Sequence, residues 1–150
     1  MIMDVRTAIY RYCNYQERSH QEVKSKLYDL KATTPEVNAL LVELIEQDLL
    51  NEERFARAYV RGKYRIKRWG RRKILVGLKA KNVSDYCIRK GMEEIDPEEY
   101  LQNLNHEARK AWERYRNEKI EWQRIAKTRQ LLSAHGYESD LINDAIKILQ

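Results

Sequence analysis

Cysteine, proline and glycine are scarce in this 150-residue chain, at two, two and five residues, and phenylalanine occurs once. Cys13 and Cys87 lie far apart without companion ligands, which excludes a disulfide framework and a thiolate metal site. A reduced, cytoplasmic setting is expected, with both thiols acting as small apolar residues. So little Gly and Pro leaves too few turns for a β-sandwich or barrel. No apolar h-region follows Met1–Asp4, and no apolar run approaches the ~20 residues of a membrane span, so neither secretion nor membrane insertion is expected. His20, His106 and His135 are not spaced as a metal site. Gly62-Lys63 looks like the end of a phosphate loop, but the first glycine is missing and Tyr64 stands where Ser or Thr is needed. No nucleophile sits in a recognisable elbow. The chain is therefore expected to be no enzyme and to need neither cofactor nor metal.

Charge, by contrast, is abundant. Charged residues make up 35% of the chain and hydrophobic ones 43%, with a formal net charge of +6. That is more charge than a compact sphere needs and suits an elongated shape. A basic excess favours nucleic acid, an acidic protein or an anionic surface as partner, and says nothing about fold.

Helix starts recur along the chain. Ser19 with Glu22 forms a capping box ahead of Val23, Leu27 and Leu30. Thr34 and Pro35 place a cap and an N1 proline before Val37, Leu40, Leu41, Leu44 and Ile45. Ser84 can cap a helix through Ile88, Met92 and Ile95, and Pro97 can open one with Leu101, Leu104, Ala108, Ala111 and Tyr115. No stretch alternates apolar and polar residues. The fold class is all-α.

These helices repeat. Leu27, Leu78 and Leu132 are followed at matching offsets by Ala32, Val83 and Tyr137, then by Val37, Ile88 and Ile142. Leu41, Met92 and Ile146, and then Leu44, Ile95 and Leu149, continue the register. Three copies of one unit, displaced by 51 and then 54 residues, are each a helix pair preceded by a further helix at roughly 5–16, 52–67 and 97–117. The predicted organisation is three tandem three-helix repeats, residues 1–50, 51–96 and 97–150, stacked in an elongated row.

The middle repeat has no acidic residue from Arg61 to Lys81. On a helix from about Glu52, residues Arg54, Arg57, Arg61, Arg65 and Arg68 share one narrow face at about 100° per residue. Phe55, Tyr59, Gly62 and Ile66 are then expected to face the core. Like charges stacked at that spacing repel. Arg suits bidentate contact with phosphate or carboxylate, and Trp69 offers a stacking plane or a core residue. Glu93, Glu94, Asp96, Glu98 and Glu99 form an acidic counterweight. In the third repeat Arg109, Lys110, Arg114, Arg116, Lys119, Arg124, Lys127 and Arg129 interleave with Trp112, Tyr115 and Trp122, which are expected in the core.

The run Leu49-Leu50-Asn51-Glu52-Glu53-Arg54-Phe55-Ala56-Arg57-Ala58-Tyr59-Val60-Arg61, followed by Trp69-Gly70-Arg71-Arg72-Lys73-Ile74, Leu78 and Lys81-Asn82-Val83, resembles the signature of the RecX family of bacterial recombination regulators. Tyr12 to Leu30 is similar to that family's opening unit. The likeness is strongest from about Ser19 to Val83 and weaker beyond Pro97. Two positions depart: Asn51-Glu52-Glu53 replaces an Asp usual before the Phe motif, and Asn82 stands where glycine is common. Asn tolerates the left-handed conformation, so the turn can survive.

The resemblance implies a protein that binds the RecA filament on DNA along its helical groove and lowers recombinase and ATPase activity, and a row with basic faces is expected to be monomeric. Weak direct DNA contact is possible beside it. The residues expected to carry the contact are Arg54, Arg57, Arg61, Arg65, Lys67, Arg68, Arg71, Arg72 and Lys73. Phe55, Tyr59, Gly70, Ile74 and Leu78 are expected to hold the middle repeat together. Two competing readings remain open: a helix-turn-helix DNA binder with Gly70 to Lys81 as its reading helix, and a protein-interaction solenoid. The lack of Asn, Gln or Ser on that helix before Asn82 favours phosphate contact over base readout.

Overall fold

A computed structural model describes residues 3–150 of the chain. The described residues form nine α-helices and no strand. They are α1 Val5–Tyr15, α2 His20–Asp29, α3 Thr34–Glu46, α4 Glu52–Arg65, α5 Arg71–Ala80, α6 Asp85–Met92, α7 Pro97–Arg114, α8 Glu121–Ala134 and α9 Ser139–Leu149. The all-α class and the helical repeat read from the sequence are both found.

Polar caps set most of the starts. Ser19 and Glu22 close a reciprocal capping box on α2. The Ser84 hydroxyl accepts the Cys87 N–H at 3.2 Å, and the Asp96 carboxylate accepts the Glu99 N–H at 2.9 Å ahead of Pro97. Asn51 accepts the Arg54 N–H at 3.0 Å and so opens α4. On α3 the cap is Thr33, not Thr34: Thr33 and Glu36 form the box, and Pro35 sits one place further in. The early N–H groups of a helix lack intrahelical acceptors, so Pro is tolerated at the second position as well as the first.

One turn is used three times. Lys31 (φ 69°), Asn82 (φ 57°) and Gly136 (φ 98°) lie at equivalent repeat positions and all take the left-handed conformation. After each, the next residue donates its N–H back across the helix end: Ala32 to the Leu27 carbonyl at 3.0 Å, Val83 to Leu78 at 3.2 Å, Tyr137 to Leu132 at 3.3 Å. These satisfy carbonyls that the helix leaves open and turn Ala32, Val83 and Tyr137 into the core. The repeated apolar positions are buried too: Leu27, Leu78 and Leu132 are all at or below 1% exposure.

Compactness groups the chain into two units. The first runs through Ala58 and takes Leu78–Gly91 as well. Its core is built from Ile9, Cys13, Val23, Leu27, Val37, Leu41, Leu44 and Leu50. A Cβ on Gly91 would stand 3.0 Å from the Ala56 backbone, so these helices meet closely. The second unit holds Tyr59–Gly77 and Met92–Gln150, with α7, α8 and α9 each packed on the other two. Its core includes Tyr64, Ile74, Tyr100, Leu104, Ala108, Leu132, Tyr137 and Ile142.

The buried side of α4 is not the one expected. Ala56, Val60 and Tyr64 are fully buried at a spacing of four, beside Phe55. Gly62 faces open space, and Ile66 is 77% exposed because α4 ends at Arg65. In the third repeat Tyr100 replaces the more exposed Leu101 as a core residue, and Trp122 lies on the surface at 67% exposure. No described helix is long and apolar enough to cross a membrane.

Candidate basic interface

Most of the arginine face of α4 meets carboxylates supplied by the fold. In the first unit Arg54 donates through Nε to Glu17 at 2.7 Å, to the Asp48 carboxylate at 3.2 Å and to the Asp48 carbonyl at 2.9 Å. The Glu17 bond chiefly holds its guanidinium more firmly protonated than usual. Arg57 pairs with Glu53 one turn back on the same helix at 3.2 Å.

The second unit continues the pattern with different partners. Arg61 pairs with Glu94, Arg65 with Glu99 at 3.6 Å, and Arg68 with Glu107 at 3.8 Å. Arg65 also donates to the Tyr64 hydroxyl at 3.0 Å, the main cause of its raised pKa. Arg68 does not join the stripe as expected, because α4 ends at Arg65 and Arg68 takes a left-handed φ of 54°; the repulsion among the four arginines that do share the helix is offset by the acids paired with them. The three arginines are half-exposed, while Glu107 is only 11% exposed, so the guanidinium side of each pair remains open to exchange with an outside anion.

The Trp69-Gly70-Arg71-Arg72 motif builds a clasp. The Gly70 N–H donates to the His135 carbonyl at 2.8 Å, and the Arg72 N–H to the Gly136 carbonyl at 3.0 Å. A Cβ on Gly70 would lie 2.2 Å from the Gly136 carbonyl carbon, so no side chain fits there. The Tyr137 hydroxyl donates to the Arg68 carbonyl at 2.6 Å. Arg71 stacks over the Tyr100 ring at 4.0 Å and pairs with Glu138 at 2.7 Å, while its N–H donates to the Tyr100 hydroxyl at 2.9 Å. That hydroxyl donates in turn to Glu138. Burial, reinforced by this bond, pushes the Tyr100 phenol well above its ordinary pKa, and burial does the same for Tyr137.

Three of the nine candidate residues stand outside these pairings. Among the described residues Lys67, Arg72 and Lys73 form no ion pair, and Lys67 and Arg72 are exposed. The Lys73 ammonium lies over the Trp69 ring at 4.4 Å, as does Lys63 at 4.6 Å. Trp69 is half-buried between these roles, neither core residue nor open platform. The fold thus separates the candidates into arginines already holding carboxylates and a short cationic segment, Lys67 to Lys73, that also contains Arg68 and Arg71. Sequence reading missed Glu17, Asp48, Glu107 and Glu138 as partners, because nothing in their local spacing marks them.

Among the described residues no group of three or more His, Cys, Asp or Glu is placed to hold a metal ion. Cys13 is buried, and burial pushes its thiol up to about 11, whereas Cys87 is half-buried.

Comparison with known proteins gives a consistent set of matches. Residues 51–92 match the model of the second three-helix domain of RecX, and residues 98–146 that of the third. The regulatory protein RecX of Enterococcus faecalis is 30% identical over 139 residues, which take in 92% of this chain and 52% of that protein. That of Leuconostoc mesenteroides is 38% identical over 69 residues, 46% of this chain and 26% of that one. The chain spans about half the length of the curated relatives it matches over most of its own. A crystal structure of RecX from Lactobacillus salivarius superposes with a TM-score of 0.84 at 25% identity, covering 97% of this chain and 94% of the other. A second, of regulatory protein RecX, gives 0.85 at 25% identity over 96% and 74%.

Proposed function

The chain belongs to the RecX family, and from that premise we propose that it is a non-enzymatic regulator that binds the RecA filament on DNA. On this reading it acts as a monomer in the cytoplasm, lies along the filament's helical groove and lowers recombinase activity, including strand exchange and ATP hydrolysis. The relatives it matches are named as regulatory proteins, which supports the absence of catalysis.

The observation that carries this reading is the segment from Lys67 to Lys73, whose exposed Lys67 and Arg72 form no ion pair among the described residues. A polyanionic partner first meets these charges. It then competes for Arg61, Arg65 and Arg68, whose guanidinium groups are half-exposed. Arg54, Arg57 and Arg71 complete the contact set, with Arg71 more firmly held by the clasp. A helix-turn-helix reading fits less well. A reading helix enters the major groove with its N-terminal residues, but the first turn of α5 is docked on the backbone of His135 and Gly136.

The test is RecA ATP hydrolysis on single-stranded DNA with the chain titrated in at substoichiometric amounts. A fall in rate with only weak binding to bare DNA is the expected result. No effect on RecA, alongside tight and salt-sensitive binding to bare duplex, would transfer the assignment to direct DNA binding.

A further inference from the structure

A second basic feature lies in the third repeat, adjoining the Lys67–Lys73 segment through Glu107 and His135. An open groove of about 680 Å³ runs along α7 beside α8, with Ala111 and Leu131 in its lining and Arg109, Lys110, Arg114 and Arg116 around them. Two carboxylates, Glu107 and Glu113, also line it, and these take Lys110 at 3.7 Å and Arg116 at 3.6 Å. Arg109 and Arg114 are exposed and form no ion pair among the described residues. The groove therefore presents two guanidinium groups without an ion pair among the described residues, that of Arg114 5.7 Å from the Tyr115 ring, beside the apolar Leu131 in one concave site.

We propose that this groove docks an acidic peptide segment carrying one apolar side chain. The two arginines would take carboxylates of the peptide in bidentate fashion, and the apolar side chain would cover Leu131. The carboxylates decide between a peptide and a nucleic acid. Glu113 is well exposed, and a peptide backbone brings N–H donors that it can accept, whereas a phosphodiester strand brings more negative charge and no backbone donor. The rings in its lining are the imidazoles of His106 and His135, the latter 4.0 Å from Glu107, and no Phe, Tyr or Trp among the lining residues offers a broader plane for a base to stack on. The groove's cations are none of the residues assigned to the filament contact, although Glu107 in its lining also holds Arg68 at 3.8 Å.

Fluorescence anisotropy of the intact chain tests this, with a fluorescein-labelled peptide of about twelve alternating Glu and Asp residues around a central Leu. Saturable binding is expected, weakened at least about tenfold by Arg109→Glu with Arg114→Glu, and weakened also when the peptide's Leu becomes Ser. Lys24→Glu with Lys147→Glu makes the same change in net charge at exposed sites outside the groove and should leave the affinity within about twofold. Circular dichroism verifies that helicity is kept, and Arg109→Gln with Arg114→Gln repeats the reading if the double reversal unfolds. No saturable binding, or equal losses in the two double variants, overturns the proposal. Tighter binding of oligothymidylate that is lost with the same arginines also overturns it and assigns the groove to single-stranded nucleic acid. Loss of peptide binding with RecA inhibition retained leaves the filament reading standing, and the reverse result leaves the groove standing.

Discussion

The arginines of α4 and the segment that follows it have similar charge density and opposite availability. Each arginine on the stripe of α4 faces a carboxylate of its own unit, whereas Lys67 and Arg72 form no ion pair among the described residues. Counting cations along a sequence therefore overstates the charge a surface can offer. What matters is whether the acids that the fold brings in are present at the same face. Glu17 from the α1–α2 connection, Glu94 from the α6–α7 turn and Glu99 from the start of α7 come from far along the chain, while Asp48 and Glu53 lie close by in sequence.

Four measurements break or sharpen this contrast. The largest effect is expected at the clasp. Gly70→Ala drives a Cβ into the Gly136 backbone and should lower unfolding stability by about 3 kcal/mol or more, read as a drop in thermal midpoint. Tyr100→Phe removes the hydroxyl shared by Glu138 and the Arg71 N–H and should cost about 1–2 kcal/mol in urea unfolding. Charge reversal at Lys67 and Arg72 together should raise the concentration needed to inhibit RecA at least about tenfold. Their stability should stay within about 0.5 kcal/mol of the parent, because neither holds an ion pair among the described residues. Inhibition that survives this reversal but fails on Arg61→Glu would place the contact on α4. The smallest effect belongs to Glu99→Gln, which frees Arg65. It should change stability by less than about 0.5 kcal/mol while raising affinity for a polyanion.

The two units also share an alkaline weakness. Burial raises the Cys13 thiol from 9.0 to about 11, and the Tyr100 and Tyr137 phenols move upward for the same reason. The folded chain keeps protons that the unfolded chain gives up. Its stability is intact below pH 9 and falls as pH rises through the window from 9 to about 11. A urea midpoint that stayed level across that range would contradict this, and Cys13→Ala should remove the earliest part of the fall.

Much of the fold was legible in the sequence because its determinants are local. Capping at Ser19 and Ser84 depends on residues three apart, and the repeat register from Leu27 to Ile142 depends on matching offsets. Asn82 carries the left-handed turn that its tolerance of positive φ allows. The core side of α4 was misjudged for a similar reason. Two apolar stripes one residue, or about 100°, apart compete on that helix, and which is covered depends on neighbours rather than on spacing. The pairing of Arg68 with Glu107 was invisible, since it follows from how the α4–α5 connection packs beside α7. Trp122 reads as a core aromatic by periodicity, yet it falls in the first turn of α8, where nothing covers it enough to bury it.

The crossing of Gly70 and Gly136 has an evolutionary consequence. An ion pair such as Arg61 with Glu94 can be exchanged in steps, because each single change costs little and a reversed pair restores it. At the glycine crossing every side chain larger than hydrogen on Gly70 collides with main chain, and one on Gly136 meets Lys73 at 2.5 Å and must also adopt a positive φ. No second mutation at the partner glycine can relieve either collision, since there is no atom left to remove. Drift can therefore rewrite the charges of this protein one pair at a time, while the joint between α5 and the α8–α9 turn can change only if both backbones move together.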